Sequence, residues 1–205
     1  TGDQRHLVQA GVHLELGELA RHLGGEALGD LDLVLGEHVD REVLRAVEDR
    51  LEILNLIASH PPCSDTGADH FVRGMYLEDG VIDLGGGKAA NGNAAIAAMV
   101  KEPGHQAAIA GGLAHFAGLP HIAINGDEAV VTSYLQIITP HPTAEPIEVP
   151  NHGSTRGFRI HRVGANRWEL KRTPEGWKIK RRILRPLDGS EPAREILRQA
   201  VAPRP

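Results

Sequence analysis

Between residues 113 and 186 the chain carries four strand-like runs arranged around two tight-turn signals, and this pattern constrains the fold more than any other feature. Residues 113–124 and 128–139 flank Asn125-Gly126-Asp127, a hairpin signal whose two central turn positions are both expected at positive φ. Residues 155–172 and 176–186 form a second pair joined near Thr173-Pro174-Glu175-Gly176. Phe158 and Ile160 alternate, as do Trp168 and Leu170, then Trp177, Ile179 and Ile183, which is the period of a half-buried strand. A Pro- and His-rich loop is expected over 140–153.

Helical periodicity comes first along the chain. Val43, Leu44, Val47, Leu51, Leu54 and Ile57 recur at helical steps, predicting a helix capped near Asp40 and stopped at about Ser59 by Pro61 and Pro62. A short helix is expected over 67–77 with Phe71, Val72 and Met75 inward, then a strand at 81–84 and a helix over 91–101. Glu191-Pro192 opens a last amphipathic helix through Ile196, Leu197 and Val201. Helices first and a curved antiparallel sheet afterwards give an α+β fold, with helices on one face of the sheet.

The chain of 205 residues suits one domain with an appendage. Residues 1–40 hold eight acids against two bases (−6), so the remaining residues sum to +1 within the total of −5. Leu16, Leu19 and Leu23 have helical spacing there, whereas Leu31, Leu33 and Leu35 alternate like a strand. Three readings of this leader stand open: a helical extension, a flexible tail, or a stretch included by a wrong start site. Residues 41–205 are read as the domain. No apolar run is long enough for a membrane span, and no secretory signal is visible, so the expected location is cytoplasmic. The negative charge and the 3% aromatic content argue against nucleic-acid binding.

Several chemical signals dissolve on inspection. Gly85-Gly86-Gly87-Lys88 fails the phosphate-loop pattern because Ala89 follows the lysine, and it reads as a strand-to-helix turn. His141, His152 and His161 lack metal-ligand spacing, and the single cysteine, Cys63, permits neither a disulfide nor a thiolate zinc cage, so no metal site is expected. The basic stretch from Arg156 to Arg185 reads as a solvated face, with a minority of its side chains turned into a cavity.

Asp65 and His115 are the pair with chemical promise. A carboxylate that accepts from one imidazole nitrogen fixes the tautomer and raises the basicity of the ring, leaving the other nitrogen to take a proton. Spacing alone does not bring them together, since capping aspartates and buried histidines are common.

Three stretches carry a resemblance. Asp65-Thr66-Gly67-Ala68-Asp69 runs on to Tyr76-Leu77-Glu78-Asp79-Gly80-Val81; Ala114-His115-Phe116 leads through Ile122–Ala129 to Ser133-Tyr134; and Asn166–Thr173 is followed by Glu175-Gly176-Trp177-Lys178-Ile179. In this order and spacing, over about residues 41–186, the chain resembles the SnoaL-like branch of the NTF2-like superfamily. The leader has no counterpart there. The resemblance implies a cone of curved sheet whose mouth is closed by helices around a ligand pocket. Relatives include scytalone dehydratase, a hexachlorocyclohexane dehydrochlorinase, polyketide cyclases and steroid isomerases.

By motif, Asp65 and His115 take the positions of the His-Asp dyad that moves protons in the dehydratase-like branch without metal or organic cofactor. Tyr76, Tyr134, Asn166, Trp168 and Arg162 are the expected substrate-contacting residues, with Arg182 a further polar candidate. Ser64 stands where an aromatic residue would precede the aspartate, and Leu135 replaces a second histidine, so scytalone dehydration itself is not expected. The implied function is a cofactor-independent lyase or isomerase for a small apolar cyclic or polyketide-like molecule. The alternative is a non-catalytic ligand-binding or assembly module. The implied partners are that small molecule and further copies of the chain, as a homodimer or homotrimer, with neither nucleic acid nor membrane.

Overall fold

The computed structural model describes the backbone of residues 27–202 and the side chains of residues 41–202. The chain divides into two units between Glu48 and Asp49. Helix α1 (Ala27–Thr66) is followed by α2 (Asp69–Met75), β1 (Tyr76–Asp83), β2 (Ala89–Asn91), α3 (Asn93–Met99), α4 (Pro103–Ala110), β3 (Ala114–Ala117) and β4 (His121–Asn125). Then come β5 (Glu128–Pro140), β6 (Ile147–Val149), β7 (Gly153–Thr155), β8 (Phe158–Thr173), β9 (Gly176–Pro186) and α5 (Glu191–Val201). Among the described residues no helix is long and apolar enough to cross a membrane.

The α+β class holds, and the sheet is curved and unclosed. Its order is β2-β1-β9-β8-β5-β3, with β4 also paired to β5. All pairings are antiparallel except β1 with β9, which run parallel. The Asn125–Asp127 signal makes the β4–β5 turn, with Asn125 opposite Glu128. Only Gly126 has positive φ (58°), so a single position uses glycine's freedom where two were expected. The triple glycine joins β1 to β2, so it is a hairpin turn and not an entry to a helix. Part of the 140–153 loop is a small hairpin of β6 and β7, and α4 follows α3 where no second helix was expected.

The first helix departs most from expectation. It contains Asp40 within its length, takes in the strand-like stretch 31–35, and continues through Pro61 and Pro62 to Thr66. Each proline removes one helical N–H donor. Burial of Ile57, His60, Cys63 and Ser64 holds this segment against the sheet core despite that loss. The buried stripe is Asp49, Ile53, Ile57 and His60, at steps of four, four and three, while Val43, Leu44, Val47, Leu51 and Leu54 are exposed. Two apolar stripes overlapped in the sequence, and periodicity could not choose between them. In α2, Val72 and Met75 are buried but Phe71 is half exposed. The leader beyond residue 27 is helical; its other expected features lie outside the described residues.

One core joins Ile53 and Ile57 of α1, Val72 and Met75 of α2, and Ile96 of α3 to Val131, Trp168, Leu170, Trp177 and Ile179 of the sheet. On the other face of the sheet Ala193 and Ile196 of α5 pack against Ala165. A polar clasp ties the middle of α1 to β8 and β9. Arg172 engages both carboxylate oxygens of Asp49, its Nε donates to Asp127 at 2.9 Å, and the Trp177 indole donates to Asp49 at 3.1 Å. Glu52 accepts from the Trp177 backbone at 2.7 Å. Part of the basic stretch is also paired: Arg185 with Asp83, Arg167 with Glu169 and Lys178 with Glu175.

Candidate active site

Register determines which side chains share the inner face of the sheet. On β5 the inward residues include Val131, Ser133, Leu135 and Ile137. Opposite them stand Trp168, Asn166, Gly164 and Arg162 of β8, and His115 of β3 opposite Ile137. One strand further, Arg182 of β9 lies beside Trp168 and Leu184 beside Asn166. Directly paired residues point to the same side of a sheet, so His115, Ser133, Asn166, Trp168 and Arg182 belong to one face. The last turns of α1 supply His60, Ser64 and Asp65.

Asp65 and His115, 50 residues apart, are in direct contact. Asp65 Oδ1 lies 2.5 Å from His115 Nδ1, and Oδ2 accepts from the His115 backbone N–H at 2.9 Å. Because the carboxylate can only accept, the ring proton sits on Nδ1 and the lone pair on Nε2. No described residue hydrogen-bonds Nε2. The His115 side chain retains 15% of its exposure and that of Asp65 23%, so the pair is shielded yet reachable. Burial pulls the imidazole below its ordinary pKa; the hydrogen bond and charge of Asp65 oppose this, while Arg182 and His105 add to it.

Asp65 lies in the last turn of α1, where the helix dipole disfavours a carboxylate and no basic side chain offsets it. Two donors from His115 offset this unfavourable placement. His105 on α4 secures the same turn, its Nε2 donating to the Ser64 carbonyl at 2.8 Å, with its ring centroid 6.3 Å from that of His115.

Deeper on the same face lies a cluster built around Arg182. Its Nε donates to Asn166 Oδ1 at 3.2 Å, its Nη1 donates to His60 Nε2 at 3.2 Å, and its guanidinium stacks 4.5 Å from the centre of the Trp168 ring. The Tyr76 hydroxyl stands 3.3 Å from His60 Nε2, and Ser64 Oγ 3.4 Å from His60 Nδ1. The His60 ring meets Trp168 edge-on at 5.0 Å, and Trp168 Nε1 donates to Ser133 Oγ at 3.4 Å. Burial, then the charges of Arg182 and His115, hold His60 neutral well below its usual pKa. Burial lifts the Tyr76 phenol to about 12, with Arg182 opposing.

Of the expected substrate contacts, Tyr76, Asn166 and Trp168 are therefore gathered in this cluster beside the dyad. Tyr134 is not. It is one residue out of phase with Ser133 and Leu135, is 51% exposed, and lines a cleft of about 340 Å³ on the opposite face with Leu197 and Val201. Arg162 stands opposite Ile137 and within electrostatic reach of Asp188, with no hydrogen bond to the dyad. A second cleft of about 340 Å³ runs past Tyr76, Leu77 and Lys178; neither cleft is lined by Asp65 or His115. Sequence reasoning missed His60 and His105. His60 repeats at helical steps from Ile53 and Ile57, a signal obscured by the prolines that follow it.

The curved, unclosed sheet with helices packed on it is a mixed α+β fold. A family model for the SnoaL-like domain matches residues 45–183, and the chain belongs to that family. Among solved structures it is similar to an NTF2-like protein with a cystatin-like fold from Novosphingobium aromaticivorans. That protein is 36% identical, with a TM-score of 0.69, over 77% of this chain and 94% of the other. A candidate scytalone dehydratase from the same organism (20% identity, 69% and 85% coverage, TM-score 0.51) shares the fold. So does a candidate NTF2-like dehydratase from Streptomyces avermitilis (14% identity, 69% and 97% coverage, TM-score 0.51). Comparison with curated proteins gives no match.

Proposed function

We propose that the protein is a cofactor-independent lyase or isomerase whose proton-transfer group is His115, oriented by Asp65. The observation that carries this reading is the bidentate hold of Asp65 on His115, which leaves Nε2 as a free base on the inner face. His115 Nε2 takes a proton from a substrate carbon and the C–H electron pair moves into a new C=C bond. In an elimination, a hydroxyl on the adjacent carbon leaves with the imidazolium proton as water; in an isomerisation, that proton returns to a different carbon. Asp65 stabilises the imidazolium formed between the steps. Each route restores neutral His115 and balances without an external acid, base or oxidant. The apolar surroundings contributed by Leu135, Ile137 and Trp168 suit a small cyclic or polyketide-like molecule.

Structural likeness to candidate dehydratases supports this reading at the level of fold only. The test is turnover of a panel of cyclic β-hydroxy ketones, cyclohexenones and their ring-carboxylic-acid counterparts by the wild type and by His115→Ala. Loss of at least about 10²-fold in the variant is expected; equal turnover by a folded His115→Ala protein removes the assignment.

The second reading, a ligand-binding or assembly module, draws on the apolar side chains exposed on the outer sheet face: Phe116, Tyr134, Phe158 and Ile160. A homodimer or homotrimer that covers this face forms part of both readings. Sedimentation equilibrium checks it, a monomer at all concentrations being the contrary result.

A further inference from the structure

We infer that the inner-face cluster of Arg182 and Asn166 is an anchoring site for a single carboxylate, so that the molecule on which His115 acts is a monoanionic carboxylic acid. Binding at the anchor stands on its own geometry; only the fate of the bound acid rests on the proton-transfer reading of His115.

Arg182 is 5% exposed, and no carboxylate of the described residues lies within ion-pair distance of it. Its hydrogen-bonded neighbours are a carboxamide oxygen, an imidazole nitrogen and the Tyr76 hydroxyl, all neutral. Being buried as well sets it apart from the other cations of its stretch, none of which is buried. Arg172 and Arg185 each meet an aspartate through two nitrogens, and Arg167 and Lys178 each meet a glutamate. A buried cation without a counter-ion is costly, and sequences rarely keep one unless something arrives to neutralise it.

A second, independent observation points the same way. Asn166 is fully buried; its Oδ1 accepts from Arg182, while its Nδ2 has no partner at all and is the only buried side-chain polar atom among the described residues in that state. The unmatched donor is joined through its own amide to the unmatched cation. What the pair lacks is an acceptor carrying negative charge.

The chemistry selects a carboxylate over other anions. A guanidinium presents its donors in a plane that matches two carboxylate oxygens, and one positive charge balances one negative charge. A phosphate dianion needs a second cation, and the other side chains meeting Arg182 here (His60, Tyr76, Asn166 and Trp168) supply none, His60 being held neutral. The charge of Arg182 is felt at His115, so a carboxylate seated on it lies in the electrostatic neighbourhood of the free Nε2.

Calorimetric titration of the full-length protein at neutral pH tests the inference, with sodium benzoate as probe, benzyl alcohol as its uncharged counterpart and inorganic phosphate as a competing anion. Benzoate is expected to bind once per chain, at least about tenfold tighter than benzyl alcohol or phosphate. Arg182→Met is expected to abolish that preference. Asn166→Asp provides a second variant should Arg182→Met fail to fold. It places an internal carboxylate beside the Arg182 Nε, and is expected to raise the melting temperature while excluding benzoate. His115→Ala is expected to keep benzoate affinity, so failure of the proton-transfer reading registers in turnover and failure of the anchor registers in binding. The inference is overturned by any of three results: benzoate binding no tighter than benzyl alcohol, phosphate binding preferentially, or benzoate affinity unchanged in folded Arg182→Met or Asn166→Asp.

Discussion

Asp65 holds His115 at two points, the ring through Oδ1 and the backbone N–H through Oδ2, so that a single carboxylate fixes both the tautomer of the imidazole and the position of the strand that carries it. A helix end and a sheet edge are thereby joined through the group proposed to move the proton. Replacing the carboxylate separates these two functions.

Asp65→Asn retains the shape of the side chain and loses its charge. An amide can present its NH₂ to Nδ1 and stabilise the wrong tautomer, with the proton on Nε2. Turnover is expected to fall by about 10²–10⁴-fold with little loss of stability. Steady-state kinetics alongside thermal melts check this, and a variant of undiminished rate contradicts it.

The pH profile follows from the environment of His115. Burial lowers its pKa below 6.5, so the base form prevails at neutral pH and kcat/KM is expected to rise with an inflection below 6.5 and then level off. Asp65 raises the value, hence Asp65→Asn is expected to move the inflection further down. Histidine NMR titrations of both proteins provide the measurement; an inflection above 6.5 in the wild type contradicts the assignment.

His60 makes the fold acid-sensitive. Its pKa is depressed in the native state, so the unfolded chain binds more protons than the native one once pH falls below about 6.5. The stability tied to neutral His60 is complete above that value and is lost as pH drops. Urea unfolding at pH 7.5 and 5.0 is expected to show a marked fall for the wild type and a smaller one for His60→Asn. Equal slopes sink the idea.

The clasp between α1 and the β8–β9 turn concerns stability alone. Asp49→Ala removes the partner of both Arg172 and the Trp177 indole, leaving a partly buried guanidinium without its principal carboxylate. Denaturant titration is expected to show a loss of about 3 kcal/mol, and a change below about 0.5 kcal/mol contradicts the role given to the clasp.

The fold was legible because hairpin turns and alternation are local signals. Gly126 and the Thr173–Gly176 turn each declare themselves within a few residues, and β4, β5, β8 and β9 lie near their expected positions. Helix α1 was less legible because its end depends on tertiary burial of His60, Cys63 and Ser64, which outweighs the local penalty of two prolines. Asp65 and His115 stood out by residue type and motif, whereas their contact depends on the curl of the sheet. The face taken by Tyr134 depends on strand phase, which its buried neighbours Ser133 and Leu135 decide. Arg182 was hidden in a run of charges because spacing does not reveal which of many cations is buried without an anion.

The measurement closest to the central claim is incorporation of solvent deuterium into cyclic ketone and carboxylic acid panel members, followed by NMR for the wild type and His115→Ala at matched fold and concentration. Exchange at a carbon by the wild type, reduced by at least about 10²-fold in the variant, is the result the account requires. Exchange that survives intact without the imidazole, or a wild type that exchanges none of the panel, contradicts it.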